Sequence, residues 1–230
     1  MHLVYYLQNP GEEFRYSLRS VAQFLPVERL TVIGDAPSWL KFVKPISGNP
    51  TADPKINSVA NAHIAARNFP DEFVMMNDDF FALQKTEEIP HWYRALLTEH
   101  AGLYSPIHSA DWRKLYLDTA KYLTWKRVVS PKSFELHVPM RVIGAELDSI
   151  LTVSARERML EGPGVWRSLY GNLSPSVRAE GIVQRTDVKV HSLRHQAEFT
   201  DFISTDERTI KPVLTFLRDK FPERSPWEKR

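Results

Sequence analysis

Two adjacent acids, Asp78 and Asp79, directly follow the apolar run Phe73-Val74-Met75-Met76 and Asn77. A hard divalent cation such as Mg²⁺ or Mn²⁺ prefers carboxylate oxygens and shares its remaining sites with diphosphate oxygens and water. One acid of such a pair can bind the metal while the other orients it or hydrogen-bonds a sugar hydroxyl. The same Asn-Asp-Asp tripeptide also makes an ordinary turn. Arg15 and Arg19 stand four residues apart, hence on one face of a helix, and a paired guanidinium face suits a diphosphate; pairing with Glu12, Glu13 or solvent is the plainer alternative. In Asp53-Pro54-Lys55-Ile56-Asn57-Ser58, Lys55 offers a cation for phosphate and Asn57 an amide for a base or sugar. Both lie at a helix start, where free backbone N–H groups favour anions and where Asn57 or Ser58 also reads as a cap. His137, in His137-Val138-Pro139, supplies an imidazole of the kind that serves as a general base, although a lone histidine is more often structural.

Other signals narrow the chemistry. The chain has no cysteine, which removes disulfides, thiolate metal sites and a cysteine nucleophile together. His191 and His195 are four apart but lack the acid of a HExxH zinc site. A P-loop, a GxGxxG turn and a G-x-S-x-G elbow are all missing, which argues against an ordinary kinase, a dinucleotide oxidoreductase and an α/β-hydrolase.

The elements that must position these residues follow from periodicity. Leu3 to Leu7 reads as a strand, Asn9-Pro10-Gly11 as a turn and Glu12 to Phe24 as an amphipathic helix. Leu30 to Ile33 reads as a second strand, Phe42 to Ile46 as a further short one, Asn57 to Asn68 as a helix and Glu72 to Met76 as a strand. Asp78 and Asp79 therefore fall at a strand's carboxyl end, the edge where open α/β sheets bind ligands. Two helices rich in Trp and Tyr are expected between His91 and Arg127, with others at Glu146 to Leu160 and Thr209 to Lys220. Gly162-Pro163-Gly164 and Leu173-Ser174-Pro175 are the clearest breaks, and neither is long enough for a linker. The expectation is one domain spanning all 230 residues, with a helical insertion over roughly 90–130.

Composition agrees with that picture. With 43% hydrophobic and 25% charged residues, and no uninterrupted apolar stretch of membrane-spanning length, the chain reads as soluble, and a cytoplasmic location is the default expectation. Its 30 basic and 28 acidic residues are interspersed, so a nucleic-acid partner is not indicated.

Taken in order, these pieces resemble the Stealth family, the bacterial capsular-polysaccharide sugar-phosphate transferases that also include the catalytic part of N-acetylglucosamine-1-phosphotransferase. Phe14-Arg15-Tyr16-Ser17-Leu18-Arg19-Ser20 is similar to the family's arginine-bearing helix, and Ala36-Pro37-Ser38-Trp39-Leu40 to its proline-tryptophan-leucine turn. Asn57-Ser58 matches its asparagine-serine before a helix, Phe73 to Phe81 its hydrophobic strand with Asn-Asp-Asp, and His137-Val138-Pro139 its His-x-Pro element. Phe202 to Asp206 resembles the last strand, and Phe221-Pro222-Glu223-Arg224-Ser225-Pro226-Trp227-Glu228 the Phe-Pro-x-x-Ser-x-x-Glu ending. Two positions depart: Tyr6-Leu7-Gln8-Asn9-Pro10-Gly11 stands where the family carries an aspartate after the first strand, and Thr205 stands where it carries asparagine.

The resemblance implies an α/β fold with a Rossmann-like or GT-A-like central sheet and a helix-rich second half. It also implies transfer of sugar 1-phosphate from a UDP-sugar donor to an acceptor hydroxyl, of a glycan or other hydroxylated molecule, with release of UMP. Under it, Asp78, Asp79 and Asp206 hold Mg²⁺ or Mn²⁺, Arg15, Arg19 and Arg167 bind the diphosphate, Lys55, Asn57 and Asn77 position the donor, and His137 takes the acceptor proton. The competing expectations are a GT-A-like glycosyltransferase that releases UDP and a non-catalytic carbohydrate- or partner-binding module using Trp92, Trp112, Trp125 and Tyr122 as stacking surfaces for sugar rings.

Overall fold

The structure is a computed structural model that describes residues 1–49, 51, 53–107, 109–157, 164–190, 201–205 and 210–229. Its first third alternates strand and helix: β1 (His2–Leu7), α1 (Glu13–Phe24), β2 (Arg29–Gly34), α2 (Pro54–Asn68), β3 (Glu72–Asn77) and β4 (Phe80–Ala82). A run of short pieces follows, comprising β5 (Trp92–Tyr93), β6 (Ala95–Leu96), α3 (Leu97–Gly102), α4 (Ala110–Trp125) and β7 (Lys132–Ser133). The remainder is β8 (Met140–Ile143), α5 (Gly144–Glu157), α6 (Trp166–Leu173), α7 (Pro175–Glu180), β9 (Val183–Gln184), β10 (Phe202–Ser204) and α8 (Ile210–Lys220).

Four strands make the main sheet in the order β2-β1-β3-β8. β1 runs parallel to both β2 and β3, while β8 is antiparallel to β3. Alternation along the strands divides the core in two. Leu3, Tyr5, Leu7, Val74 and Met76 pack with Phe14, Leu18 and Val21 of α1, whereas Val4, Phe73 and Met75 pack with Ala62, Ala65 and Ala66 of α2. Successive strand residues point to opposite faces, so α1 and α2 cover opposite sides. Each fully buried Leu, Val or Phe here contributes about 1.5–3 kcal/mol, and the three alanines let α2 approach the sheet closely. The chain leaves β1 for β2 through α1, then crosses back over β1 to β3 through α2. This reversal opens a crevice at the carboxyl ends of β1 and β3.

Beyond β3, a tight turn leads into β4, which pairs antiparallel with β10 and sets Ser204 opposite Phe80. Phe81 and Ile203 of this ribbon pack with Tyr16, Val213 and Leu217, which fixes α8 beside α1. Leu97, Leu115, Leu123, Leu147, Leu151, Leu169 and Val177 from the later helices extend the core on the α2 side.

Several boundaries differ from the sequence reading for local reasons. Phe42 to Ile46 is not a strand: only Ile46 bridges to Ile33, and Phe42 has a left-handed φ of 61° and is 87% exposed. Pro45 cannot donate a ladder hydrogen bond, which limits pairing there to that single contact. α2 begins three residues before Asn57, because Asp53 accepts a hydrogen bond from the Lys55 N–H (2.8 Å) and Pro54 occupies the first turn. α6 falls between two breaks that the sequence shows, in a stretch where its pattern predicts no helix. Among the described residues, no helix is long and apolar enough to cross a membrane.

Candidate functional site

The carboxylate pair forms where β3 ends. Asn77 is the last residue of the strand, paired in register with Tyr6 of β1, and Asp78 and Asp79 make the turn into β4. Asp79 is anchored twice: its Oδ2 accepts from the Ser204 hydroxyl (2.9 Å), and its carbonyl accepts from the Thr205 N–H (3.3 Å). Burial, the neighbouring charge of Asp79 and that of Glu13 push the Asp78 carboxyl up to about 7. Burial also raises Asp79, against the opposing pull of Ser204, His137 and Lys189. Two desolvated, mutually repelling carboxylates are what a divalent cation relieves. Among the described residues no third His, Asp or Glu converges with them to complete a ligand set, and Asp206 lies outside those residues. A cation here would keep substrate and water oxygens in its remaining positions, the usual state of Mg²⁺ at phosphate sites.

Within electrostatic reach of Asp79 stands an oriented imidazole. His137 Nδ1 lies 2.8 Å from Asp187 Oδ2, and the His137 backbone N–H donates to Asp187 Oδ1 (3.0 Å). Arg94 Nη1 donates to the same Oδ2 (3.0 Å), and the Val188 N–H donates to Oδ1 (3.0 Å). Burial opposes the charge on Asp187, yet the hydrogen bonds and charge of His137, with help from Arg94, hold its carboxyl down at about 2. An anionic partner at Nδ1 fixes the ring and leaves Nε2 to exchange protons. The His137 side chain is 37% exposed, against 13% for Asp187, so the ring and not its orienting acid faces outward.

Arg167 builds the segment that carries His137. Its guanidinium is buried, and Nη1 donates to the carbonyls of Leu136 (3.3 Å) and Val138 (2.9 Å), on either side of the histidine. Burial lowers its pKa, while the charges of Glu135, Asp79 and Asp187 oppose that loss. Glu135 is held by the N–H and hydroxyl of Ser168 at 3.0 and 3.1 Å. Arg167, expected as a diphosphate ligand, thus holds the backbone on either side of the histidine and projects its charge towards Asp79.

Arg15 and Arg19 lie on one face of α1, as their spacing predicts, and both bind Glu228. Arg19 Nε and Nη2 donate to its two oxygens at 2.8 and 2.9 Å, and Arg15 Nη1 donates at 3.1 Å. Arg15 also lies over the Trp39 ring, 4.0 Å from its centroid. The bridges link the helix, the Pro37-Trp39-Leu40 turn and the chain's last residues, since Leu40 and Glu228 also form a β-bridge.

Lys55 spans Asp53 and Asp111, at 3.7 and 3.9 Å, and lies over the Trp112 ring. Asn57 is fully buried: its Nδ2 donates to Gln8 Oε1 (3.0 Å) and the Thr51 carbonyl (2.7 Å), and its Oδ1 accepts from the Thr51 N–H (2.8 Å). Asn57 therefore ties the loop before α2 to the residue that follows β1. Beside that junction is a cleft of about 260 Å³, lined by Tyr6, Leu7, Gln8, Gly34, Asp35, Ser47, Gly48 and Asn49.

Nothing local in the sequence marks Asp187 or Ser204 as partners of His137 and Asp79, and Glu228 is marked there only as part of a motif, not as the partner of Arg15 and Arg19. Asp187 lies 50 residues from His137 and Glu228 more than 200 from Arg19, and no local pattern marks such partners. The Phe-Pro-x-x-Ser-x-x-Glu ending was the one available signal for Glu228. Compared with known proteins, the chain matches no family model, and no curated protein matches it significantly.

Proposed function

We propose that this chain is a cation-dependent sugar-phosphate transferase of the Stealth type, built on a Rossmann-like, GT-A-like core. The observation that carries the reading is the His137–Asp187 dyad beside the paired carboxylates Asp78 and Asp79, at the carboxyl edge of a sheet whose strand order reverses there. Asp78 and Asp79 would hold Mg²⁺ or Mn²⁺, which neutralises the diphosphate of a UDP-sugar.

The chain's own residues supply the rest. His137 Nε2 accepts the proton of the acceptor hydroxyl as that oxygen bonds to the sugar-proximal phosphorus. The bridging P–O bond breaks and UMP departs with the electron pair. Asp187 stabilises the resulting imidazolium and keeps the ring aimed. Arg167 adds a fixed positive charge near the reacting phosphate and holds the His137 segment in place. Arg15, 32% exposed at its side chain and engaged by a single bond to Glu228, retains donors for a phosphate oxygen.

Incubating the protein with UDP-sugars, Mg²⁺ or Mn²⁺ and a panel of hydroxyl acceptors tests this directly by mass spectrometry of the acceptor. The expected product carries sugar and phosphate together; an acceptor carrying sugar alone marks attack at the anomeric carbon and overturns the proposal.

A further inference from the structure

We propose that the cleft between the carboxyl ends of β1 and β2 is a ribonucleoside seat in which Asp35 accepts hydrogen bonds from the ribose hydroxyls. The inference rests on the nucleotide-sugar reading above and specifies where the donor's nucleoside goes and how it is selected.

Position comes first. The cleft and the carboxylate pair lie on either side of the β1 end, and Tyr6 stands between them. Its hydroxyl is raised by burial and by the charges of both Asp78 and Asp35. A donor whose phosphates lie over Asp78 and Asp79 can place its nucleoside past Tyr6 without leaving the sheet edge. Size agrees: at about 260 Å³ the cleft falls below the roughly 300–1,000 Å³ of sites for drug-sized ligands. It suits one nucleoside and not a whole nucleotide sugar.

Chemistry gives the orientation. Tyr6, Gln8, Ser47 and Asn49 present neutral donors and acceptors, and the charged group among the lining residues is an acid, Asp35. Anionic phosphate is repelled there, whereas hydroxyls are well received. Asp35 is also pre-aimed: its N–H donates to the Leu7 carbonyl (3.1 Å), and its Oδ2 accepts from the Asn9 N–H (3.1 Å). A carboxylate has about four lone-pair sites, so one such bond leaves acceptors for ribose. An acid after the second strand of a reversing α/β sheet is placed for that contact.

The cleft is shaped in advance. Gly34 has a φ of +100°, and a Cβ there would lie 2.1 Å from the Leu7 carbonyl oxygen; a Cβ on Gly48 would lie 3.0 Å from the Gly34 Cα. The missing Cβ at Gly34 lets its backbone sit against Leu7, and that at Gly48 eases the close approach of the 47–49 segment to the strand ends. Two fully buried amides stand behind it: Asn61 Oδ1 accepts from the Asn49 N–H (3.0 Å), and Asn57 joins Gln8 to Thr51, whose N–H donates to the Asn49 carbonyl (3.0 Å). Asn57 is in this account a positioning residue, which acts on the nucleoside through Gln8 and the loop.

Calorimetric titration of the full chain with UMP, 2′-deoxy-UMP and 3′-deoxy-UMP in Mg²⁺ tests the seat. Loss of the hydroxyl that meets Asp35 is expected to weaken binding about 10- to 100-fold, the range for a hydrogen bond to a charged group. Asp35→Ala should weaken UMP by a similar factor and abolish the deoxy penalty, while Asp35→Asn, which preserves shape and the Asn9 contact, falls between them. Equal binding of all three nucleotides by the unaltered protein, or unchanged UMP affinity in Asp35→Ala, overturns the seat. UMP binding that depends on Asp35 without turnover of any UDP-sugar keeps the seat and sinks the transferase. Turnover with a donor KM indifferent to Asp35 does the reverse.

Discussion

Asp187 grips His137 at two points, accepting the backbone N–H on one carboxylate oxygen at 3.0 Å and facing the ring Nδ1 from the other at 2.8 Å. Such a double hold fixes both the position of the residue and the direction of its ring. If His137 is the general base, His137→Gln lowers kcat about 10²- to 10⁴-fold with little change in donor KM. Asp187→Asn, which keeps the shape but removes the charge, also lowers kcat strongly. Steady-state kinetics of both variants decide the point, and wild-type kcat in either removes the dyad from the mechanism.

Cation binding should depend on pH through Asp78, whose carboxyl stands at about 7. Below that value the cation must displace a proton, so Mn²⁺ affinity falls by up to about tenfold per pH unit between pH 7 and pH 5. The stability of the cation-free protein runs in the same sense. The raised pKa means that the folded chain binds a proton the unfolded chain has released, so stability is greatest below the unfolded carboxyl pKa. It falls as pH rises towards 7, by at most about 1.4 kcal/mol per unit from this group. Asp78→Asn should flatten that slope and abolish tight Mn²⁺ binding, as read by calorimetry and by thermal melts at pH 5, 6 and 7.

The Glu228 bridge should behave oppositely with pH. Burial works against its charge, but Arg19, the Ser225 N–H and Arg15 together hold its carboxyl below the usual range. Its contribution is therefore complete above the unfolded carboxyl pKa, near 4.3, and is lost on acidification. Glu228→Ala removes three bonds to arginine nitrogens and is expected to cost about 2–4 kcal/mol. Chemical denaturation at pH 7 measures that loss; a variant as stable as the parent would show that the bridge contributes nothing net.

Asn57→Ala should loosen the cleft without touching the dyad. It removes the amide's bonds to the Thr51 N–H, the Thr51 carbonyl and Gln8 Oε1, leaving the Thr51 N–H to the Asn49 carbonyl (3.0 Å) and Gln8 Oε1 to the Tyr6 hydroxyl (3.1 Å), a cost of about 1–3 kcal/mol. UMP affinity falls, while kcat at saturating donor stays near that of the parent. A fall in kcat with KM unchanged contradicts this division of roles.

The frame of the fold was legible wherever a pattern is local. The first three strands, the face of α1 and the turn at Asp78-Asp79 all follow from periodicity and turn chemistry within a few residues. Ion pairs and orienting acids were not legible, because the partners of His137, Arg15 and Arg19 come from distant parts of the chain. Asn57 shows a related limit: its place near a helix start fits a cap as well as a donor contact, and only the structure shows that Asp53 fills the cap. Its buried amide is thereby left for the loop. Arg167 is expected under the resemblance as a phosphate ligand, and its burial against two carbonyls shows that it holds the His137 segment.

The most direct measurement is the identity of the nucleotide released when the protein turns over a UDP-sugar in Mg²⁺ or Mn²⁺, separated by ion-exchange chromatography. Sugar-phosphate transfer releases UMP, in amounts equal to the sugar phosphate transferred, and that release is expected to be lost in Asp79→Ala. Release of UDP would contradict sugar-phosphate transfer, moving the attacked atom from phosphorus to carbon.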